Sequence, residues 1–248
     1  MRAEPDDRSE MTSQLLFGEL LEVVEKKGNW SFIRSLYDDY TGWVDSKQYT
    51  FVTDEDLERF NKSEVFYSQK PVSTIYSVSS RRELRIVLGS QFIGYVSGKI
   101  KYGDNEYVLR ENPMELLPRK ALVDSVLRTA NLFMDSPYLW GGKTPFGVDC
   151  SGFTQSVFKV CGIKLKRDAS QQVMQGEVID FIGDVRAGDL AFFDNNEGKI
   201  IHVGIILPDN KIMHASGRVR IDLIDHNGIF NEEIGDYTHK LRIVKRFL

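Results

Sequence analysis

The chain is predicted to be α+β, with small β-rich bodies in its N-terminal half and a mixed domain of helices and strands after them. Three observations lead there. Residues 1–52 alternate short β-prone runs with turn residues, at the roughly 8–12-residue spacing of small barrels. A second β-rich stretch, about residues 65–117, follows a short charged segment. Beyond it, helical periodicity at 121–133 and 150–161 is interleaved with β-branched runs.

In the first body, Leu15-Leu16-Phe17-Gly18-Glu19 leads into a strand at Leu20–Lys26, and Gly28-Asn29 turns the chain into a second at Trp30–Arg34. Asp38-Asp39 then precedes a third at Tyr40–Val44. Residues 53–64 read as a helical linker. In Thr53-Asp54-Glu55-Asp56-Leu57-Glu58-Arg59-Phe60, Thr53 or Asp54 suits the N-cap and the acids suit the positive end of the first turn. Residues 65–118 read as a second barrel, with strands at Val72–Val78, Leu84–Leu88, Phe92–Val96 and Tyr107–Leu109. Residues 119–248 form the last domain. It opens on an amphipathic helix, Ala121–Phe133, with Leu122, Val126, Ala130 and Phe133 along one side.

Composition is that of an ordinary globular protein: 248 residues, 42% apolar and 27% charged, enough for a sizeable core in one to three units. A net charge of −4 gives no support to binding nucleic acid or an anionic membrane. The longest uninterrupted apolar run is far short of the roughly 20 residues a membrane helix needs.

The chemistry concentrates around Cys150. The two glycines of Trp140-Gly141-Gly142, with Pro145 and Gly147, break regular structure ahead of it. Ser151 to Cys161 carries Phe153, Val157, Val160 and Cys161 at helical spacing and stops at Gly162. Cys150 therefore stands at a helix start, where unpaired amide N–H groups and the dipole favour thiolate over thiol. With a basic partner, such placement is expected to lower a cysteine pKa from roughly 8.5 to about 3.5–7.5.

Four histidines are available as the base. His202 lies in the strand Lys199–Leu207 and His214 in Lys211–Ser216, with Pro208-Asp209-Asn210 as the turn between them. If the two strands pair as a hairpin, both imidazoles project from one face as diagonal neighbours, within reach of each other. Cys150, His202 and His214 then read as nucleophile, base and orienting group. His226 and His239 have no partner pattern and read as surface or packing residues. The rival reading is a metal site from Cys150, Cys161, His202 and His214, but their spacings do not match the short pairs of zinc sites. A Cys150–Cys161 disulfide would have to span roughly 16 Å along the helix. The constellation asks for no metal and no cofactor.

Six motifs in order carry a resemblance: Tyr138-Leu139-Trp140-Gly141-Gly142, Asp149-Cys150-Ser151-Gly152-Phe153, Arg167-Asp168-Ala169-Ser170-Gln171-Gln172, Gly188-Asp189-Leu190-Ala191-Phe192-Phe193, His202-Val203-Gly204-Ile205 and His214-Ala215-Ser216. They look like the NlpC family of papain-like cell-wall cysteine peptidases, over about residues 120–248. The resemblance implies hydrolysis of peptidoglycan stem peptides, typically between γ-linked D-glutamate and the following diamino acid. It places catalytic roles on Cys150, His202 and His214, with Tyr138 as a further active-site hydroxyl. Residues 1–52, through Arg2-Ala3-Glu4-Pro5 and the Gly42-Trp43-Val44 ending, resemble a bacterial SH3-like domain, and 65–118 a divergent second one.

Two SH3-like barrels before an NlpC-type domain resemble the γ-D-glutamyl-L-diamino acid endopeptidases that act on released peptides with a free N-terminal L-alanine. The partner implied is such a peptidoglycan-derived peptide, taken in cell-wall recycling or turnover. Acidic groups would hold its ammonium and so reject an acylated peptide. By position Asp168 takes that role, with Glu4 and Tyr40 of the first barrel beside it. Asp168 also suits the N-cap of a helix at Ala169–Gln172. Asp149, Ser151 and Trp140 flank the nucleophile and are expected to line the pocket. The backbone N–H of Cys150 and the Tyr138 hydroxyl are the expected oxyanion donors. Two other classes stay open: an inactive binder of wall fragments, and a papain-like acyltransferase or amidase on another substrate. The start Met1-Arg2-Ala3-Glu4-Pro5 carries no signal-peptide pattern, which fits the cytoplasm if Met1 is native. It also meets the barrel motif abruptly, so the expectation is a trimmed form whose export signal to the periplasm or envelope was lost.

Overall fold

The computed structural model describes residues 1–110 and 122–248. The chain divides into two units, Met1–Leu116 and Leu117–Leu248. The boundary expected at 118/119 lies outside the described residues, as does Ala121.

In the first unit, β1 (Leu21–Lys27), β2 (Trp30–Ser35) and β3 (Thr41–Asp45) form an antiparallel sheet in chain order. Gly28, with φ of +60°, makes the turn that pairs Lys27 with Trp30. Arg2 exchanges two 2.8 Å backbone hydrogen bonds with Trp43, so the first residues of the chain lie along β3. Helix α1 (Asp54–Asn61) is closed by a capping box: Asp56 N–H donates to Thr53 Oγ1 at 3.1 Å and Thr53 N–H to Asp56 Oδ2 at 3.3 Å.

The strands that follow are β4 (Val65–Tyr67), β5 (Val72–Ser77), β6 (Arg82–Val87), β7 (Gln91–Ile93), β8 (Lys99–Tyr102) and β9 (Asn105–Leu109). They form a pair, β4-β7, and a four-stranded sheet, β6-β5-β9-β8. Ile75, Ile86, Phe92, Ile100 and Leu109 pack around Phe60 of α1 as one core. The strand expected at Phe92–Val96 ends at Ile93, because Gly94, Ser97 and Gly98 all take left-handed backbone. Strands β4 and β8 escape a sequence reading, since three or four residues are too few to show a period.

The second unit opens with α2 (Leu122–Asn131), two residues shorter at its end than its apolar stripe suggests. Short strands β10 (Lys143–Thr144) and β11 (Gly147–Val148) form a hairpin ahead of α3 (Cys150–Val160), and α4 (Ala169–Gln172) follows. Strands β12 (Glu177–Ile179), β13 (Leu190–Asp194), β14 (Ile200–Leu207), β15 (Lys211–Ser216), β16 (Arg218–Ile224), β17 (Gly228–Asn231) and β18 (Asp236–Arg246) make one antiparallel sheet. Its order is β12-β18-β13-β14-β15-β16-β17. The long β18 pairs with β13 through its C-terminal part and with β17 through its N-terminal part, so the sheet curls until the edge strand β17 meets β18. Every residue of α3 is buried, not only one stripe of it. The helix crosses β14 and β15 and packs on α2, where Phe133 meets Phe153 edge-on at 5.5 Å.

Candidate active site

Cys150 is the first residue of α3, with Asp149 as N-cap. Asp149 Oδ1 accepts the Gly152 N–H at 2.6 Å and Oδ2 accepts the Gly141 N–H at 2.8 Å. One carboxylate thus ties the glycine loop to the helix start. Arg167, 1% exposed, grips the same carboxylate with both terminal nitrogens, at 3.0 and 2.6 Å, and its Nη1 donates to Ser151 Oγ at 3.0 Å. Asp149 and Ser151, expected as pocket-lining residues, are both buried in this knot. Gly152 has to be glycine, because a Cβ there would lie 2.1 Å from the Gly142 carbonyl oxygen. The loop therefore sits directly on the first turn of α3 and carries Trp140, which is 60% exposed.

The histidines come from adjacent strands. Gly204 pairs with His214 across β14 and β15, so His202, two residues earlier, is its diagonal neighbour on the same face. His202 Nε2 and His214 Nδ1 are 2.8 Å apart. The diagonal continues one strand further. His214 pairs with Arg220 on β16, and Asp222, two residues on, places Oδ2 2.9 Å from His214 Nε2. Gly204 clears the crossing, since a Cβ there would come within 2.9 Å of His214 Cβ.

Sequence reasoning misses Asp222 as a site residue. In Arg218–Ile224 the apolar residues Val219, Ile221 and Leu223 alternate with Arg220 and Asp222, so a period-two reading sends Asp222 to solvent. In the fold Asp222 is buried and Ile221 exposed. His239, read as a surface or packing residue, does pack, but on His202: the rings stack at 4.1 Å with 27° between their planes. Nothing in the sequence near His239 signals this, because it depends on β18 lying beside β13. His226 is exposed.

The three imidazoles have nitrogens within 4.8 Å of one another, the spacing of a metal cluster. In this structure two of those nitrogens are engaged with each other. His202 Nε2 and His214 Nδ1 share a hydrogen bond, and the His239 ring stacks on His202.

Burial and the adjacent Asp149 carboxylate push the Cys150 thiol up to about 11, against the opposing pull of the Val203 and Ser151 N–H groups and Arg167. Burial, together with His214 and His239, holds His202 well below the usual histidine range. The low-pKa thiolate expected from the helix start is thus outweighed: burial favours the thiol form of Cys150 and the neutral form of His202. The Val203 N–H directed at the sulfur puts the thiol against β14 at the residue after His202. Tyr138, 37% exposed, is pushed up to about 12 by burial and by Cys150 and Asp149, so its hydroxyl remains a donor. Asp168 is the N-cap of α4, and its N–H donates to Gln171 Oε1 at 3.2 Å. Gln172 of α4 in turn binds α3, accepting from Thr154 Oγ1 at 2.8 Å and donating to the Ser151 carbonyl at 3.0 Å. Glu4 and Tyr40 belong to the first unit, where Glu4 N–H donates to Ser9 Oγ at 2.8 Å and Tyr40 N–H to Asp38 Oδ1 at 3.2 Å.

Residues 135–236 match the NlpC/P60 family and residues 1–48 match the bacterial dipeptidyl-peptidase Sh3 domain. The γ-D-glutamyl-L-lysine dipeptidyl-peptidase of Bacillus subtilis is 30% identical over 218 residues, covering 82% of this chain and 71% of that protein. The chain belongs to the NlpC/P60 family. Dipeptidyl-peptidase 6 of Lysinibacillus sphaericus is 25% identical over 86% of this NlpC/P60 chain and 83% of its own length. The fold is shared with the crystal structure of an NlpC/P60 family protein from Bacillus cereus, at a TM-score of 0.75 and 24% identity over 96% of this chain and 82% of that one. The papain-like domain with an SH3 domain before it is thereby established, and the family is one of peptidases.

Proposed function

We propose that the chain is a cysteine endopeptidase that cleaves the γ-D-glutamyl–diamino acid bond of peptidoglycan stem peptides, acting on released peptides with a free N-terminal L-alanine. The observation that carries this reading is the hydrogen bond between His202 and His214 on adjacent strands, the first of which directs its Val203 N–H at the thiol opening α3. The choice of bond is supported by the name of the Bacillus subtilis relative. In this reading residues 1–52 and 65–118 are the two SH3-like bodies, 53–64 joins them, and 119–248 is catalytic.

As the Cys150 sulfur attacks the γ-carbonyl of D-glutamate, its proton passes to His202, and a C–S bond forms as the carbonyl π pair moves to oxygen. The Cys150 N–H and the Tyr138 hydroxyl receive that oxyanion. The proton on His202 then goes to the leaving amine, and the C–N bond breaks to give a thioester. Water, deprotonated by His202, hydrolyses the thioester and regenerates the thiol. Asp168 receives the ammonium of the substrate's L-alanine.

Mass spectrometry of L-Ala-γ-D-Glu-meso-diaminopimelate and its L-lysine analogue tests the reading, with N-acetylated copies alongside. Release of the diamino acid from the free peptides alone is expected, with Cys150→Ala and His202→Ala silent. His214→Gln should retain a measurable remnant. Full activity in Cys150→Ala would overturn the mechanism, and cleavage of the acetylated peptides would remove the role given to Asp168. Glu4→Gln and Tyr40→Phe test the two residues of the first unit separately through KM.

A further inference from the structure

We propose that Asp222 is a positioning residue that sets the tautomers of both histidines and so leaves His202 Nδ1 free to accept the thiol proton. The inference rests on Cys150 and His202 acting as proposed above. It begins from a property of carboxylates: ionised, they only accept hydrogen bonds. Asp222 Oδ2 lies 2.9 Å from His214 Nε2, so that nitrogen must carry the proton. A neutral His214 then has its lone pair on Nδ1, which can only accept. His202 Nε2, 2.8 Å away, must therefore carry a proton as well. The remaining nitrogen of a neutral His202, Nδ1, is left with a lone pair. Taken from the thiol end, S–H, His202, His214 and Asp222 form a row of donors that all point toward the carboxylate.

The direction matters because the row has a second solution. With Nδ1–H on His214, that group would donate to His202 Nε2, and His202 would carry its own proton on Nδ1. The nitrogen needed by the thiol would be blocked. The two histidines alone do not choose between these arrangements; the acid at the end does.

The acid is itself held. Burial opposes its ionisation, but His214 and Arg220 outweigh burial and keep Asp222 below the usual carboxylate range. Arg220 Nη2 donates to Asp222 Oδ1 at 2.9 Å, and Arg220 Nη1 donates to Glu233 Oε2 at 2.9 Å. The bond from Arg220 also forecasts the effect of replacing the acid by an amide. Arg220 Nε also lies 2.9 Å from Asp222 Oδ2, but the hydrogen bond from Nη2 is to Oδ1, so the amide is expected to keep its oxygen there and turn its NH2 to His214 Nε2, which would then have to accept. The substitution Asp222→Asn therefore preserves shape and reverses the row. When His202 takes the thiol proton, its positive charge is stabilised through His214 by the same carboxylate, with no proton leaving His202.

Two measurements decide. The first is nitrogen NMR of histidine-labelled wild-type protein, in which only four histidines give signals. Protons on Nε2 of both His202 and His214 are expected; a proton on His214 Nδ1 would overturn the proposal without any variant. The second compares wild type with Asp222→Asn. The variant should keep its circular dichroism and KM, lose about 10²–10⁴-fold in kcat, and show the His214 proton moved to Nδ1. Should Asp222→Asn fail to fold, the wild-type spectrum still decides. Unchanged kcat and unchanged tautomers in a folded variant would sink it. If wild type cleaves no stem peptide, the substrate reading fails, yet the tautomer spectra of both proteins still decide the role of Asp222.

Discussion

The Cys150 thiol stands where two physical effects compete. The Ser151 and Val203 N–H groups favour the thiolate, while burial and Asp149 disfavour it and win, at about 11. With His202 held neutral by burial, the mechanism proposed above needs proton transfer within the attack step, with His202 as general base toward a thiol. Inactivation by iodoacetamide should accordingly keep rising through the alkaline range. A plateau in rate across about pH 4–8, as a thiolate–imidazolium pair gives, would contradict the neutral pair. Arg167 bears on the same site from below. Its pair with Asp149 is buried on both sides, so Arg167→Leu leaves an uncompensated carboxylate and a helix start without its anchor. A loss of about 3–5 kcal/mol is expected for breaking such a pair. Thermal or urea unfolding measures it; a change below about 1 kcal/mol would mean that the carboxylate finds other partners.

At the scale of elements, three antiparallel strands carry His202, His214 and Asp222 along one diagonal, each two residues out of register with the last. The strand twist brings such diagonal neighbours together. The diagonal passes over Gly204, whose missing side chain is what allows it. Gly204→Ala should displace His214 and cut kcat by at least about tenfold, with a destabilisation of about 1–3 kcal/mol from overpacking. A crystal structure of that variant with the 2.8 Å His202–His214 bond intact would refute the steric argument. The hairpin itself is legible in the sequence: β-branched runs lie on either side of Pro208-Asp209-Asn210, with Asp209 and Asn210 left-handed as a tight turn requires. Asp222 is not, because the alternation in β16 points the wrong way: closing the sheet buries the face that its polar residues occupy.

For the molecule as a whole, the site's imidazoles link folding to pH. Burial and His214 hold His239 at about 4, and His202 lies well below its usual range too. Between about pH 6.5 and 4 the unfolded chain binds protons on these groups that the folded chain refuses. Stability from both is present above the unfolded pKa and is lost as pH falls through that window. Urea midpoints measured across it should decline with acidity, and His239→Phe should flatten the decline. An unchanged slope in that variant would show that His239 titrates normally. The position of His239 is itself a product of the whole sheet. It reaches His202 because β18 pairs with both β13 and β17, a connection between residues far apart in the chain.

The sequence alone was sufficient for what local rules govern. Glycines that break the chain before a helical period placed Cys150 at the start of α3, and strand parity put His202 and His214 on one face. Thr53 and the acids after it marked the start of α1, and the order of the motifs carried the family resemblance. Tertiary structure decided everything that depends on burial and on which strands become neighbours. The direction of the Cys150 pKa follows from how deeply α3 is enclosed. Folding brings Arg167 from the segment before α4 onto Asp149, the β15–β16 pairing puts a carboxylate behind His214, and the pairing of β18 with β13 and β17 stacks His239 on His202. A helix period or a strand period reports the nearest residues in the chain; the dielectric around a thiol is set by residues that only folding brings near.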